Sequence, residues 1–429
     1  MKSKTIWEDQ IEIKEYPSLN QDISTDVLII GGGITGILCA YELSKRKISC
    51  VLVEKNRIGM GTTKNTTAFI TAQHETLYQD LIKKHGIKKA KEYLDLNLKA
   101  VKRYQDLAKE YEFDFEECNS CLYSKDNKDL IIKEKEALKS LGYDATIINE
   151  IPLEEQDNIG IVFKKQGILH PLKFIKEISK NLRIYENTMV GKLIDNVAYT
   201  TNNRKISFRH VIIATHYPFI NKSGLMFLKL TQRRSYVVVV KNENIDDTYC
   251  SIDSGGIYFR KQHDYLIIGG LDRDTKITCT KSFEKSITNI IGDKKILYSH
   301  SGQDCIPLDN IPYIGQISYF HKNYYVATGF GLWGFTWAMA SSFMLADMIE
   351  EKKEYQLTNP RRNFINRNLF INVSNSLKNL ITLKKPRCMH MGCALKYNKL
   401  EKVWECPCHG SRYDEEGNLI EGPSIKSLE

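Results

Sequence analysis

Apolar positions along the chain fall into two rhythms. The run Val27–Ile30, made of β-branched residues and leucine, has the continuous character of a strand buried on both faces. It stops at Gly31, and the residues that follow, through Ala40 and Leu43, lead as a helix to a second such run in "SCVLVEK". Later, "RHVIIATHYPF" reads as a strand entering a turn at Ala214 and Thr215, and "NYYVATGFGLWGFTWAMASSFMLADMI" as a strand, a glycine loop and a helix. The stretches "RRSYVVVVK", "GGIYFRKQ" and "DYLIIGG" instead alternate β-branched and aromatic residues as the strands of a sheet do. Ile87, Ala90, Leu94, Val101, Tyr104 and Ala108, spaced by three, four and seven, predict one long amphipathic helix with that stripe against a core. Strands and helices in this mixture predict an α/β protein.

Length and composition narrow the class. At 429 residues, 42% hydrophobic and 26% charged, the chain is expected to fold as two or three globular domains. The opening "MKSKTIWEDQIEIKEYP" has no apolar core of a leader, so the protein is expected to be cytoplasmic. The stretch "GFGLWGFTWAMASSFMLADMI" reaches the length of a membrane span, but its early glycines and Asp347 favour a buried helix, and no membrane span is expected. The net charge of +9 is uneven: nine Lys or Arg stand against Glu351 and Glu354 between Glu351 and Arg387. That stretch is read as a solvated basic linker or a face for an acidic partner, ahead of a nucleic-acid surface. Eleven cysteines do not form the spacing of a secreted disulfide framework. Cys39, Cys50, Cys250, Cys279 and Cys305 are read as core filling, and the pair Cys118 and Cys121 lacks the βαβ setting of a redox motif.

Chemistry enters at "DVLIIGGGITG". Gly31, Gly33 and Gly36 have G-x-G-x-x-G spacing between a strand and a helix, and a second strand ends at Glu54. The first glycine permits a tight turn, the second lets backbone approach a pyrophosphate, and the third lets helix and strand pack closely. The helix N-terminus faces the phosphates, and the acid can accept ribose hydroxyls. NAD and FAD are both held in this way.

Taken with "VEK", "GILHPLKF", "TMV", "VIIATH", "LIIGGLDRDT", "LDNIPYIG" and "ATGFGLWGFTWAMA", the chain resembles the FAD-dependent oxidoreductases related to D-amino-acid oxidase and glycine oxidase, from residue 26 to about 350. The resemblance implies a Rossmann-like FAD domain of the glutathione-reductase type, interleaved with a mixed-sheet substrate domain. It implies that Gly31, Gly33, Gly36 and Glu54 hold the ADP half of FAD and that Val190 lies by the adenine. Ile34, Thr35, Lys55, Thr62, Thr63, Ala214 and Thr215 join the expected contacts. Gly329, Gly331, Leu332, Trp333 and Gly334 would bring backbone N–H groups to the isoalloxazine edge, where fixed dipoles stabilise negative charge on reduced flavin. Arg260 is the candidate for gripping a substrate carboxylate, because a guanidinium suits bidentate pairing. His74 and His216 are candidates for positions near the flavin.

The end of the chain carries a different signature. In "CMHMGC…CPCHGSRYD" each arm offers one cysteine and one histidine: Cys388 with His390, and Cys406 with His409. A zinc site is the competing reading, although zinc-finger spacing keeps cysteines and histidines in separate pairs. Mixed arms suit a binuclear cluster with two thiolates on one iron and two imidazoles on the other. The two stretches resemble the cluster-binding loops of Rieske [2Fe–2S] proteins. That resemblance implies a small all-β module in which Cys393 and Cys408 form a disulfide between the loops, and Ser411 and Tyr413 donate hydrogen bonds to cluster sulfurs. Most base strands of a Rieske domain are missing before Cys388. Either residues 360–387 and the tail "NLIEGPSIKSLE" supply a minimal platform, or the cluster leans on the flavin domain.

The expected division is therefore an FAD oxidoreductase over 1–370, a basic linker over 371–387 and a Rieske module over 388–429. Within the first, the FAD part covers roughly 20–75, 150–220 and 300–350, and the substrate part 76–149 and 221–299. The combination implies oxidation of a small amine or amino-acid-like substrate, with one-electron relay through the cluster to or from a separate carrier. An oxygen-using oxidase with a structural cluster, a redox adapter without turnover and an RNA-directed activity are the alternatives.

Overall fold

The computed structural model describes residues 4–153, 157–220, 223–241, 245–275, 283–365, 367–383 and 385–428. Among these, the strands form three sheets. The first runs in the order Tyr313–Gln316, Tyr324–Thr328, Lys205–Ile213, Ile23–Ile30, Cys50–Val53 and Ile184–Tyr185, with the hairpin Val190–Ile194 and Val197–Thr200 beside Lys205–Ile213. Its centre is parallel, with Ile29 opposite Ile212 on one side and Leu52 on the other. Val27 and Ile29 face the main core, whereas Leu28 and Ile30 face a second core around Val190, Ala198 and Met226. Burial on both faces is what the unbroken apolar run serves.

The helix Ile34–Lys45 packs against the helix Gly334–Glu350. At their crossing Asp347 accepts from Arg46 at 2.7 Å and from the Tyr355 hydroxyl at 2.6 Å. The acid within the apolar stretch is thus paired, and no described helix is long and apolar enough to cross a membrane. In the helix Ile87–Leu107 the stripe Ala90, Leu94, Val101 and Tyr104 is buried, while Ile87 at its first position is exposed.

The second sheet is mixed. Its order is Tyr298–Pro307, Leu230–Lys241, Tyr265–Asp274, Ile257–Gln262, Thr248–Ser251, Glu116–Ser124, Ile159–Ile168 and Phe69–Ile70, with Thr146–Ile148 beside Ile159–Ile168. Antiparallel pairing dominates, and Thr248–Ser251 runs parallel to Glu116–Ser124. The interleaving is finer than the expected division. Phe69–Ile70, Ile159–Ile168 and most of Tyr298–Pro307 fall within the stretches assigned to the FAD part, yet hydrogen-bond into this sheet. The helix Ile87–Leu107, from the expected substrate part, packs on Gly334–Glu350. Cys118 and Cys121 lie buried in Glu116–Ser124, and burial pushes the Cys118 thiol up to about 12, so the pair is inert packing. Cys39, Cys250 and Cys305 are buried as well, and Cys279 lies outside the described residues.

The expected linker is largely structured. Arg367–Ile381 is a helix with Asn372 buried and Leu380 packed on the cysteine core of the last module. Three of the nine basic residues between Glu351 and Arg387 meet acids: Arg362 bonds Asp309 at 2.8 Å, Arg361 reaches Glu354 and Lys353 reaches Asp347. Lys384 lies outside the described residues.

The third sheet is small and antiparallel: Lys396–Asn398, Val403–Glu405, Arg412–Tyr413 and Leu419–Glu421. It leans on the second sheet through a buried ionic network. Arg234, 1% exposed, forks onto Glu401 at 2.5 and 3.0 Å. Arg412 reaches the same carboxylate at 2.7 Å, and Tyr236 donates to it at 2.7 Å. Arg273 pairs with Glu405 at 3.2 Å, and Glu421 lies 3.6 Å from Arg412 and 3.7 Å from Arg234. Three arginines and three glutamates thus balance one another across the joint. Burial alone would raise the Glu401 carboxyl, but Arg234 and Arg412 pull it down to about 2.

Two outcomes follow from this joint. Glu401→Gln leaves buried guanidinium groups short of charge and is expected to cost about 3–5 kcal/mol, read as a lowered denaturant midpoint for the C-terminal module. Because the folded carboxyl titrates below its ordinary 4.5, its stabilisation is complete above that value and is lost as pH falls towards about 2. Acid titration of the wild type should show this loss, and Glu401→Gln should not.

Candidate functional site

A cavity of about 540 Å³ runs between the first two sheets. One end is built by the glycine turn. Gly31 has φ +110°, and a Cβ there would stand 2.5 Å from the Ala214 carbonyl oxygen. A Cβ at Gly36 would stand 1.9 Å from the Gly31 oxygen, so helix and turn could not close. Thr63 Oγ1 accepts from the Ile34 N–H at 3.0 Å, within the first turn of the helix. Glu54 accepts from the Gly32 N–H at 2.7 Å and the Asn56 N–H at 2.9 Å, which fixes its carboxylate in the wall.

Gly31, Gly33, Ile34, Thr35, Glu54, Lys55, Thr62, Thr63, Val190, Ala214 and Thr215 all line this cavity. Gly36 does not; it lies behind the turn, where close packing is its role. At the other end Gly329, Gly331, Leu332, Trp333 and Gly334 line the wall. A Cβ on Gly331 or Gly334 would meet nothing within 4 Å, so side chains there would take up cavity space. Gly331, at φ +62°, donates its N–H to the Cys305 carbonyl at 3.0 Å, and the start of the helix Gly334–Glu350 places backbone N–H groups at this end. Space, glycine cradle and anchored acid fit a dinucleotide.

His74 is buried beneath this loop and stacks on Trp333 at 4.8 Å. Its Nε2 donates to the Thr71 carbonyl at 2.9 Å and its Nδ1 accepts from Tyr93 at 2.8 Å. Burial pushes it down to about 3, so it is a neutral prop for Trp333. His216 does line the cavity, at a left-handed φ of +63°.

Arg260 does not reach the cavity. It lies on the same strand face as the cavity-lining Tyr258, two residues further along, under the Trp7 ring at 5.3 Å. Its Nη2 donates to the Leu169 carbonyl at 3.2 Å, and burial pushes it down to about 9. One acid that does line the cavity comes from another strand of the second sheet. Asp304 lines it beside Ser235 and Tyr258, with Arg233 paired opposite it across the strands. Burial, with Asp272 and Glu421 nearby, pushes the Asp304 carboxyl up to about 8 against the pull of Arg233. Alternation along Tyr298–Pro307 was the available signal for Asp304; nothing local marks Arg233 or Tyr258.

The two cysteine–histidine loops share one backbone design. Gly392 N–H donates to Cys388 O at 2.8 Å and Cys388 N–H to Cys393 O at 2.9 Å; Gly410 N–H donates to Cys406 O at 3.0 Å and Cys406 N–H to Ser411 O at 2.8 Å. Gly392 and Gly410 have φ +77° and +79°, which explains a glycine four residues after each leading cysteine. The Cys388 and Cys406 thiols are in contact, and the His390 and His409 rings stand 5.1 Å apart at 89°. Burial and His409 push His390 down to about 3, the neutral form that ligates iron. His409 Nε2 donates to the Phe227 carbonyl at 3.0 Å, leaving Nδ1 as its ligating nitrogen. Tyr413 accepts from the Met389 N–H at 3.1 Å and sits 3.5 Å from Cys388 Sγ, where its proton is placed to donate. Ser411 Oγ accepts from the Ser424 N–H at 3.0 Å. Cys393 and Cys408 are free thiols here, their sulfurs within 4.8 Å of each other and of Cys406. Two thiols and two neutral imidazoles fit a [2Fe–2S] cluster.

The two sites adjoin. Arg412 and the segment Glu421–Ile425 line the cavity. Tyr217 lines it too, and its ring lies 6.1 Å from His390 and 6.1 Å from His409. Gln303 Nε2 donates to the Gly410 carbonyl at 2.9 Å.

Comparison with known proteins gives two family matches along the chain. Residues 26–348 match the FAD dependent oxidoreductase family, DAO. The chain belongs to that family. Residues 349–429 match the Rieske [2Fe-2S] domain. YhfW of Bacillus subtilis (strain 168), named as a Rieske 2Fe-2S iron-sulfur protein, is 31% identical over 99% of this chain and 97% of its own length. The cytochrome b6-f complex iron-sulfur subunit 1 of Nostoc sp. (strain PCC 7120) is 49% identical over 41 residues, 10% of this chain and 23% of that one. L-proline dehydrogenase from P. horikoshii shares the fold at TM-score 0.68 and 21% identity, over 80% of this chain and 98% of that one. This DAO-family oxidoreductase therefore carries FAD and a Rieske [2Fe–2S] cluster.

The glycine turn is the most sensitive point of the flavin site. Gly36→Ala is expected to weaken FAD binding about ten- to hundredfold through the backbone shift it forces. Flavin content of the purified variant measures this, with iron content unchanged.

Proposed function

We propose that this oxidoreductase oxidises a small amine or amino-acid-like substrate and passes the electrons singly through the Rieske cluster to a separate one-electron carrier. The observation that carries this reading is the shared wall: Arg412 and Glu421–Ile425 of the cluster module line the cavity that starts at the glycine turn. When bound, FAD takes two electrons from substrate and the cluster carries one at a time. Gly31, Gly33, Thr63 and Glu54 hold the nucleotide half. Gly331 and Gly334 keep the wall at the ring end open. His74 holds Trp333 in place.

Asp304, Tyr258 and Ser235 face the cavity, with Arg233 and Asp272 close to Asp304. An ionised Asp304 suits an ammonium group, and Arg233 holds part of the opposing charge beside it. Arg260, buried against Trp7, takes no part in this reading. The buried thiols away from the cluster fit a reducing, cytoplasmic setting.

Anaerobic addition of an amine and amino-acid panel is expected to bleach the flavin and then reduce the cluster, followed by absorption and EPR. Bleached flavin beside a cluster that stays oxidised would rule out the relay. Fast peroxide formation by Cys388→Ser/Cys406→Ser, matching wild type, would favour oxygen as acceptor. Asp304→Asn is expected to raise KM for a cationic amine about tenfold. Because its carboxyl titrates near 8, wild-type KM for such an amine should fall as pH rises towards that value, and this limb should vanish in Asp304→Asn.

A further inference from the structure

We infer that Tyr217 couples the two cofactor sites, as a positioning residue whose ring fills the space between the FAD cavity and both imidazole ligands of the cluster. The inference rests on the relay reading above. Tyr217 is 4% exposed and forms part of the cavity wall. Its ring meets His390 at an interplanar angle of 78° and His409 at 68°, both in edge-on packing at 6.1 Å. Phe227 also touches His409, at 6.4 Å, but does not line the cavity. Among the described aromatic side chains that contact the imidazoles, only Tyr217 does both.

The backbone holds this ring firmly. His216, with φ +63°, turns the chain immediately before it. Thr215 Oγ1 donates to the Tyr217 carbonyl at 3.0 Å, and Thr328 Oγ1 to the His216 carbonyl at 2.5 Å. Thr328 directly precedes the Gly329–Gly334 loop, so the turn bearing Tyr217 and the loop at the ring end of the cavity are tied together. The Tyr217 hydroxyl is buried and has no hydrogen-bond partner in the structure. A buried hydroxyl is costly to leave unpaired, and the polar edge of a bound cofactor is the partner that the cavity offers.

Each transfer across this contact removes one electron from reduced FAD and converts one ferric iron of the cluster to ferrous. The external one-electron carrier reoxidises the cluster between the first and second transfers, and the protons leave to solvent. A packed ring keeps the intervening space filled, whereas a shorter aliphatic side chain leaves a gap whose lining atoms lose contact.

The test compares Tyr217→Leu, Tyr217→Ile and Tyr217→Phe with the wild-type holoprotein. Iron and flavin content are measured first, then the EPR g values of the dithionite-reduced cluster, then cluster reduction after anaerobic photoreduction of the flavin. Tyr217→Leu and Tyr217→Ile are expected to retain both cofactors, shift the g values as the imidazoles lose their packing, and slow cluster reduction about tenfold. Tyr217→Phe, which keeps the ring and loses only the hydroxyl, should keep the wild-type g values and rate of cluster reduction while holding flavin more weakly. Wild-type rates and g values in either aliphatic variant with both cofactors present overturn the role of Tyr217 while leaving the relay intact. A wild-type cluster that never accepts electrons from reduced flavin overturns the relay itself.

Discussion

Docking of the last module depends on charges that have been taken out of water. Arg234, Arg273 and Arg412 meet Glu401, Glu405 and Glu421 in a joint where most of these side chains are under a tenth exposed. Such a network adds little net stability over apolar packing, since desolvation opposes the Coulomb gain. It does impose register: a guanidinium forked onto one carboxylate tolerates little sliding, where greasy surfaces would tolerate several poses. Register is what two adjoining cofactor sites need. The pose held by Glu401 brings Gly410 against Gln303 and His409 against the Phe227 carbonyl.

This joint also explains how so short a Rieske module can stand. Four strands of two or three residues cannot bury a sizeable core of their own. The platform is borrowed, in part from the second sheet and in part from the helix Arg367–Ile381, whose Leu380 joins the cysteine core. Both anticipated supports are present together. Within the module the two ligand loops repeat one hydrogen-bond pattern, and the histidine falls two residues after Cys388 but three after Cys406. Identical turns with offset histidines carry imidazoles that face each other at a right angle.

What was legible in the sequence is what local backbone geometry dictates. Gly31, Gly33 and Gly36 announce a turn that other residues cannot form, and Gly392 and Gly410 sit where each cluster loop needs a positive φ. The strand Val27–Ile30 is legible because burial on both faces leaves no polar position. Properties that arise from convergence were not legible. Arg260 lies on the face of its strand that bears Tyr258, but it is buried against the distant residue Trp7 and does not line the cavity. Asp304 and Arg233 become neighbours only through pairing of Leu230–Lys241 with Tyr298–Pro307. Tyr217 follows a recognisable turn, yet its contact with the imidazoles depends on a module nearly two hundred residues away. The charge of residues 371–387 reads as a linker, whereas Leu380 packs the helix Arg367–Ile381 onto the cysteine core.

One consequence concerns maturation. The flavin pocket starts at Gly31 and is closed by Arg412 and Glu421–Ile425, so its two halves leave the ribosome almost a full chain apart. A newly made N-terminal part can offer the phosphates a cradle, but the finished chamber exists only after the cluster loops have been synthesised and seated. Holding one prosthetic group and building the other are thereby made a single assembly problem.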